Sequence, residues 1–193
     1  MSHDFEKKET KELTNYQFKQ IFSQEELSCI LTKGLREAYE DAFNRFPYNE
    51  TFQPGEIDTM FYEYFHNGYI FVVSREEQII AFSSAVPIVC VPDIASILIG
   101  QKGVSESSWY LPDVGVRHAY EGKGIVKTLM KKTLEILPQT SVTLRTSEDN
   151  IRAQGLYSSL GFITMPELRQ EIPRPRMNGR VESDRRLFML LRK

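Results

Sequence analysis

Between Ser23 and Pro47 apolar side chains recur three and four residues apart, at Leu27, Ile30, Leu31, Leu35, Ala38 and Tyr39 and then at Ala42 and Phe43. That spacing lays one apolar face along a helix. Ser23 followed three residues later by Glu26 forms a capping box at its start, and Pro47 ends it. A second helix is predicted after Pro54-Gly55, with Ile57, Met60, Phe61, Tyr64 and Phe65 on one side and His66-Asn67-Gly68 as its stop. The period then shortens to that of strands. YIFVVS and IIAFSSAV flank the polar REEQ and read as an antiparallel hairpin with a four- or five-residue loop. Ahead of these, Leu13 to Ile21 reads as a strand, preceded by a polar tail over residues 1–10. The stretch from Pro87 to Ser107 follows no single period. PDIASILIG within it has the length of a short helix, and the rest is left unplaced, an insertion beside a substrate site being one reading.

From Ser108 the pattern sharpens. WYLPDVGV is strand-like, GKGIVKTLMKKTLEIL carries Ile125, Leu129, Leu134 and Leu137 at helical spacing, and SVTLRTS is strand-like again. A helix between two strands is the crossover that a parallel pair requires, here over residues 108–118 and 141–147. Two closing strands are expected on either side of the basic loop PRPRMNGR, within a segment carrying Arg169, Arg174, Arg176, Arg180, Arg185 and Arg186. These arginines either edge an acceptor cleft and meet an anionic part of a substrate, or are plain surface charge.

Composition narrows the function classes. A chain of 193 residues with 41% hydrophobic and 26% charged content suits one core, so residues 11–193 are expected to form a single domain. The net charge of −2 supplies no surplus of Lys and Arg, which argues against sequence-independent attraction to nucleic acid or an anionic membrane. The longest apolar stretch, Ala81 to Ile99, is broken by Pro87, Pro92 and Asp93, too early to span a bilayer. Cys29 and Cys90, with a charged start MSHDFEKKETKEL in place of a secretory signal, point to a reducing, cytoplasmic setting. His3, His66 and His118 are too scattered to propose a metal site.

The chemistry concentrates in EGKGIVKT, residues 121–128. Two glycines one residue apart open a helix, where free N–H groups and the positive end of the helix dipole face an anion. A Walker A loop is excluded, because Gly122-Lys123 is followed by Gly124 and preceded at the needed distance by Arg117. A dinucleotide fingerprint is excluded too, since Lys127 stands where its third glycine belongs and the next strand ends without an acidic residue. Taken alone, the glycine pair is equally well a simple turn. A second segment changes this: EDNIRAQGLYSSLGF, with Asn150, Ala153, Tyr157, Gly161 and Phe162. The order strand, V-x-x-x-x-E-G-x-G-I, helix, strand, N-x-x-A-x-x-x-Y-x-x-x-G-F resembles the GNAT superfamily of acyl-CoA N-acyltransferases over about residues 108–163.

The resemblance implies a mixed α/β fold, with a largely antiparallel central sheet of about six or seven strands flanked by helices and a splayed parallel pair that admits coenzyme A. It implies acetyl-CoA as cosubstrate, no metal, and an amine acceptor that is a small molecule, a peptide or a protein; no nucleic acid or membrane partner is expected, and a homodimer is left open. By the same resemblance Gly122, Lys123, Gly124, Ile125 and Val126 hold the diphosphate, with Glu121 at the family's Gln or Arg position. Val114, Gly115 and Val116 offer a main-chain N–H to the thioester oxyanion, Asn150 and Ala153 position the pantetheine arm or the loop, and Tyr157 serves the departing sulfur. Asp113 is the candidate general base if a bulge at Gly115 shifts the strand's phase. Glu148 and Asp149 are alternatives, or caps of the following helix. Glu50, Glu56, Asp58 and Glu63, interleaved with aromatics, suit a cationic amine or a solvated helix face. Glu121 and Val126, which stand where the family prefers Gln or Arg and Gly or Ala, keep open a second class: an acyl-CoA sensor without turnover.

Overall fold

The structure, a computed structural model, describes residues 15–193; the expected tail and the first residues of the expected first strand lie outside them. That strand is β1, Gln17–Gln20. Helix α1, Gln24–Ile30, starts where Ser23 Oγ accepts the N–H of Glu26 at 3.1 Å while the Glu26 carboxylate accepts the N–H of Phe22. The expected continuous helix is broken. Lys33 and Gly34 leave helical dihedrals within a widened turn, Leu31–Leu35, before α2 runs over Arg36–Phe43. Arg117 occupies the break, donating to Gly34 O and Ile79 O at 2.9 Å each. A Cβ at position 34 would lie 2.8 Å from that guanidinium. The kink therefore ties the first helices to the residue that leads into the glycine loop.

Helix α3, Glu56–Asn67, precedes the hairpin of β2, Tyr69–Arg75, and β3, Gln78–Pro87. The loop has two residues rather than four or five. Glu76 and Glu77 both take positive φ, 51° and 66°, as a tight hairpin turn matched to strand twist requires. Helix α4, Pro92–Leu98, lies in the segment that had no clear period, and Ile94 and Leu98 pack against Ile88, Val104, Tyr110 and Phe188. It is part of the core's cover. There follow β4 (Trp109–Leu111), β5 (Val114–Val116), α5 (Ile125–Ile136), β6 (Val142–Ser147), α6 (Ile151–Ser158), β7 (Ile163–Pro175) and β8 (Val181–Leu191).

The strands order as β1-β2-β3-β4-β6-β8-β7, with β5 also on β3. Only β4 and β6 pair in parallel among the described strands, joined through α5. The sheet has eight strands because the expected strand over 108–118 comes as two pieces. β3 faces both pieces, Val86 opposite Tyr110 and Ser83 opposite Val114, so three steps along β3 span four on the other side. The extra residue makes a bulge at Pro112-Asp113, where Ser84 N donates to Asp113 O at 2.9 Å. The bulge at Gly115 that would put Asp113 on the face of Val114 and Val116 does not form. There the ladder is regular, and the missing side chain serves packing instead: a Cβ would lie 2.4 Å from the Phe82 ring and 3.0 Å from Ala42.

Beyond the bulge β5 stays on β3 and makes no pairing with β6, which leaves a wedge in the sheet. Met130, Leu134 and Tyr157 of α5 and α6 cover one face around it. On the other, Leu27, Tyr39 and Phe61 of α1 to α3 pack with Phe82, and α4 packs beside them.

Candidate active site

A cavity of about 310 Å³ opens in the wedge between β5, the start of α5 and α6. Hydrogen bonding in an antiparallel ladder alternates in direction. Asp113 O and Arg117 N are both engaged with β3, the latter donating to Ile80 O at 2.8 Å, so the main-chain groups of Val114 and Val116 face away from β3 toward the cavity they line. From β5 the chain passes through a turn at His118–Tyr120 into the glycine pair. Gly122 and Gly124 sit at φ 74° and 75°, a left-handed conformation that would cost an L side chain roughly 1–2 kcal/mol at each position. The N–H groups of Gly122 through Lys127 find no acceptor among the described residues, and no side chain caps α5. Six donors at the positive end of a helix, beside a cavity, are an arrangement that favours an anion.

The side chains here complete the electrostatics. Glu121 is ion-paired with Arg152, and His118 Nδ1 lies 3.6 Å from its other oxygen, so the carboxylate is tied down by a cation that also lines the cavity. Lys123 Nζ stacks over Tyr120, 4.9 Å from the ring centroid. Ile125 is buried and anchors the helix start against Phe71 and Ile80, while half-buried Val126 packs toward the α5–α6 face.

Asn150 caps α6: its Oδ1 accepts the N–H of Ala153 at 3.0 Å, and its Nδ2 donates to Tyr48 Oη at 3.2 Å. Both residues line the cavity, but the amide of Asn150 is engaged in holding α6 and Tyr48. Tyr157 is buried in the same lining, one helix turn from Ala153, with its ring against Phe162. Burial, reinforced by Tyr48 and Asp113, pushes its hydroxyl well above the ordinary tyrosine range, so it stays a neutral donor. Tyr48 itself had no signal in the sequence. It follows Pro47 in the loop between two helices, and only the fold brings its hydroxyl within 3.2 Å of Thr146 Oγ1 and of Asn150.

A second cavity, of about 250 Å³, lies on the opposite face under α2, α3 and β7. The two share no lining residue, and neighbours in the chain part between them, Val114 lining the first and Asp113 the second. Asp113 is half-buried as a residue, yet its carboxyl is enclosed on the protein side and accepts the Tyr64 hydroxyl at 2.6 Å. Desolvation outweighs that bond and the attraction of Arg145 and Arg174, so the carboxyl titrates above the usual aspartate range. The alternatives are placed elsewhere. Glu148 is ion-paired with Arg169 and, at 3.3 Å, with Arg185, and neither it nor Asp149 lines either cavity.

The charged segments divide in a way that composition did not indicate. Glu50 is buried, bonded to Arg186 Nη2 at 2.8 Å, and Arg186 also pairs with Asp184 and lies 4.7 Å from the Tyr48 ring centroid. Arg176 is likewise buried and donates to Tyr48 O. For these two arginines the surface-charge reading is wrong. Asp58 pairs with Arg36 at 2.5 Å, whereas Glu56, Glu63 and Arg174 line the second cavity.

Residues 33–162 match the model of the acetyltransferase (GNAT) family. The chain belongs to this family. The GNAT match runs from the kink before α2 to Phe162, taking in the bulge, the glycine loop and Tyr157, and stops short of the β7–β8 hairpin that carries Arg174, Arg176 and Arg186. A search of curated protein sequences finds no match. Among solved structures, the ribosomal-protein-S18-alanine N-acetyltransferase from Escherichia coli superposes with a TM-score of 0.60 at 14% identity, over 91% of this chain and 92% of that one. Ribosomal-protein-alanine N-acetyltransferase from Brucella melitensis gives 0.60 at 17% identity, over 92% and 99%. The IAA acetyltransferase from Bacillus cereus gives 0.56 at 15%, over 91% and 98%. At these identities the likeness is one of fold. Among the described residues of this GNAT protein no helix is long and apolar enough to cross a membrane, and no group of three His, Cys, Asp or Glu side chains could hold a metal ion.

Proposed function

We propose that the protein transfers an acetyl group from acetyl-CoA to a primary amine by direct attack on the thioester. The observation that carries this reading is the run of six free N–H groups at the start of α5, beside a cavity that Tyr157 also lines, with Asp113 in the lining of the second cavity on the opposite face. In this reading the amides of Gly122 to Lys127 hold the diphosphate, and the N–H of Val114 or Val116 polarises the thioester carbonyl. Asn150 and Ala153 keep α6 in place along the pantetheine arm.

An amine with a pKa near ~10.4 is protonated at neutral pH, and freeing its lone pair costs about 4–5 kcal/mol. In this reading Asp113, whose carboxyl titrates above the usual aspartate range and lines the second cavity, accepts that proton. The C–N bond forms as the C–S bond breaks, and the Tyr157 hydroxyl supplies a proton to the sulfur. Of the two protons the ammonium loses overall, one ends on the thiol and one in solvent. The sensor reading rests on Glu121, a carboxylate near a diphosphate, and on Val126; the pairing of Glu121 with Arg152 offsets part of the repulsion. Thiol release from acetyl-CoA, measured with polyamines, aminoglycosides, amino acids and peptides with free N-termini, tests the proposal. Release with at least one acceptor is expected. Tight cofactor binding with no release across the whole panel would favour the sensor.

A further inference from the structure

The second cavity is lined by both signs of charge. Asp113, Glu56 and Glu63 stand against Arg145 and Arg174, while Tyr39 and Phe52, their ring centroids 5.2 Å apart, give it an aromatic wall. At about 250 Å³ it is smaller than the roughly 300–1,000 Å³ typical of drug-sized ligands, which suits a small metabolite. Its hydrogen-bonding account does not close. Tyr110 is 1% exposed and its hydroxyl has no partner, and Arg174 Nε is buried without a hydrogen bond. The carboxylate nearest Arg174 is Glu50 at 3.8 Å, already bonded to Arg186. Both unpartnered atoms are donors: burial raises the Tyr110 hydroxyl to about 12, so it keeps its proton. Buried donors left unmatched cost about 1–3 kcal/mol each, and both sit behind the cavity surface, so a ligand's acceptor would meet them only as these side chains turn toward it.

We infer that this cavity takes a small amino carboxylic acid, with its ammonium toward Asp113, its carboxylate toward Arg174 and Tyr110, and an apolar side chain along Tyr39 and Phe52. A polycation would meet two arginines there, and a simple carboxylic acid would meet Asp113 and Glu63; a zwitterion satisfies both ends. Arg145 adds positive charge to the same lining, its Nη1 going to Gln170 at 2.8 Å and toward Asp93 at 3.6 Å. The inference names the acceptor of the proposed transferase and rests on that reading for its catalytic meaning, while binding itself needs no acyl donor.

Cys90 provides the test, because it is exposed and lines the cavity. In a Cys29→Ser background, labelling of Cys90 by N-ethylmaleimide is followed by mass spectrometry in the presence of each common amino acid, its matching decarboxylated amine and its matching deaminated acid. At saturating concentration an occupant slows labelling by about tenfold. Protection is expected from at least one apolar or aromatic amino acid and from neither of its two partners. Arg174→Gln should remove the protection and raise KM for that amino acid by about tenfold or more with kcat little changed; Arg174→Lys should restore part of it. Unchanged acetyl-CoA affinity in calorimetry verifies the fold of each variant. Equal protection by the decarboxylated amine, or none by any amino acid in protein that binds acetyl-CoA, would overturn the inference and leave the transferase reading standing. Protection in protein that takes up no acetyl-CoA would do the reverse.

Discussion

The two cavities, lined by the neighbouring residues Val114 and Asp113, are built by different means. The first takes most of its lining from a short run of sequence, residues 114–127, and from the one helix that carries Asn150 and Tyr157, with Ala42, Phe43 and Tyr48 added from afar. The second is assembled from side chains on α2, α3, β4, β6 and β7, residues as far apart as Tyr39 and Arg174. Main-chain chemistry needs only glycines and a helix start, so a local pattern records it. Side-chain chemistry at long range leaves no local pattern. The family match takes in the whole lining of the first cavity and all of the second's except Arg174.

Substitutions sharpen that contrast. Tyr157→Phe removes a donor proposed to act only as the sulfur departs, so kcat should fall about 10²–10⁴-fold while acetyl-CoA affinity, read by calorimetry, stays within a few-fold. Unchanged turnover would take the acid role from Tyr157. Asp113→Asn should lower kcat/KM about a hundredfold and alter its pH profile. The raised pKa means the carboxyl keeps its proton to higher pH, so the base form, and with it the rate, should grow as pH rises through a value above the usual ~3.9; in the variant that limb should vanish. If the limb persists in the asparagine protein, another group is the base.

Gly124→Val forces a β-branched residue into the left-handed conformation at the start of α5. The strain of roughly 1–2 kcal/mol or more should appear as about a tenfold loss of acetyl-CoA affinity, with the second cavity's ligand unaffected. Equal loss at both cavities would mean that they are not separable. Asn150→Ala should have the smallest effect, lowering stability in urea by about 1 kcal/mol through the lost cap and loosening Tyr48, without abolishing turnover.

The same division between local and long-range causes explains what could be read along the chain. Helix faces, the capping box at Ser23 and the crossover around α5 all follow from spacing within a few residues. The break at Lys33-Gly34 does not, because it depends on Arg117, more than eighty residues away. Glu76 and Glu77 carry none of the Asn or Gly signals of a tight turn; the strand register of β2 and β3 holds them there. The bulge was sought at the glycine, yet Gly115 answers to the Phe82 ring and the extra residue falls at Pro112-Asp113. Glu50 and Arg186 look like surface charge in a list of residues. Folding buries them together beside Tyr48, and that pairing is legible only in three dimensions.

The direct trial of the main-chain site is a calorimetric titration of wild-type protein with coenzyme A and with acetyl-pantetheine, which lacks the diphosphate. If the amides of Gly122 to Lys127 supply much of the grip, coenzyme A should bind and acetyl-pantetheine should bind about a hundredfold more weakly, a difference of about 2.7 kcal/mol. Equal affinity for the two, or no heat from coenzyme A at millimolar concentration, would contradict the site.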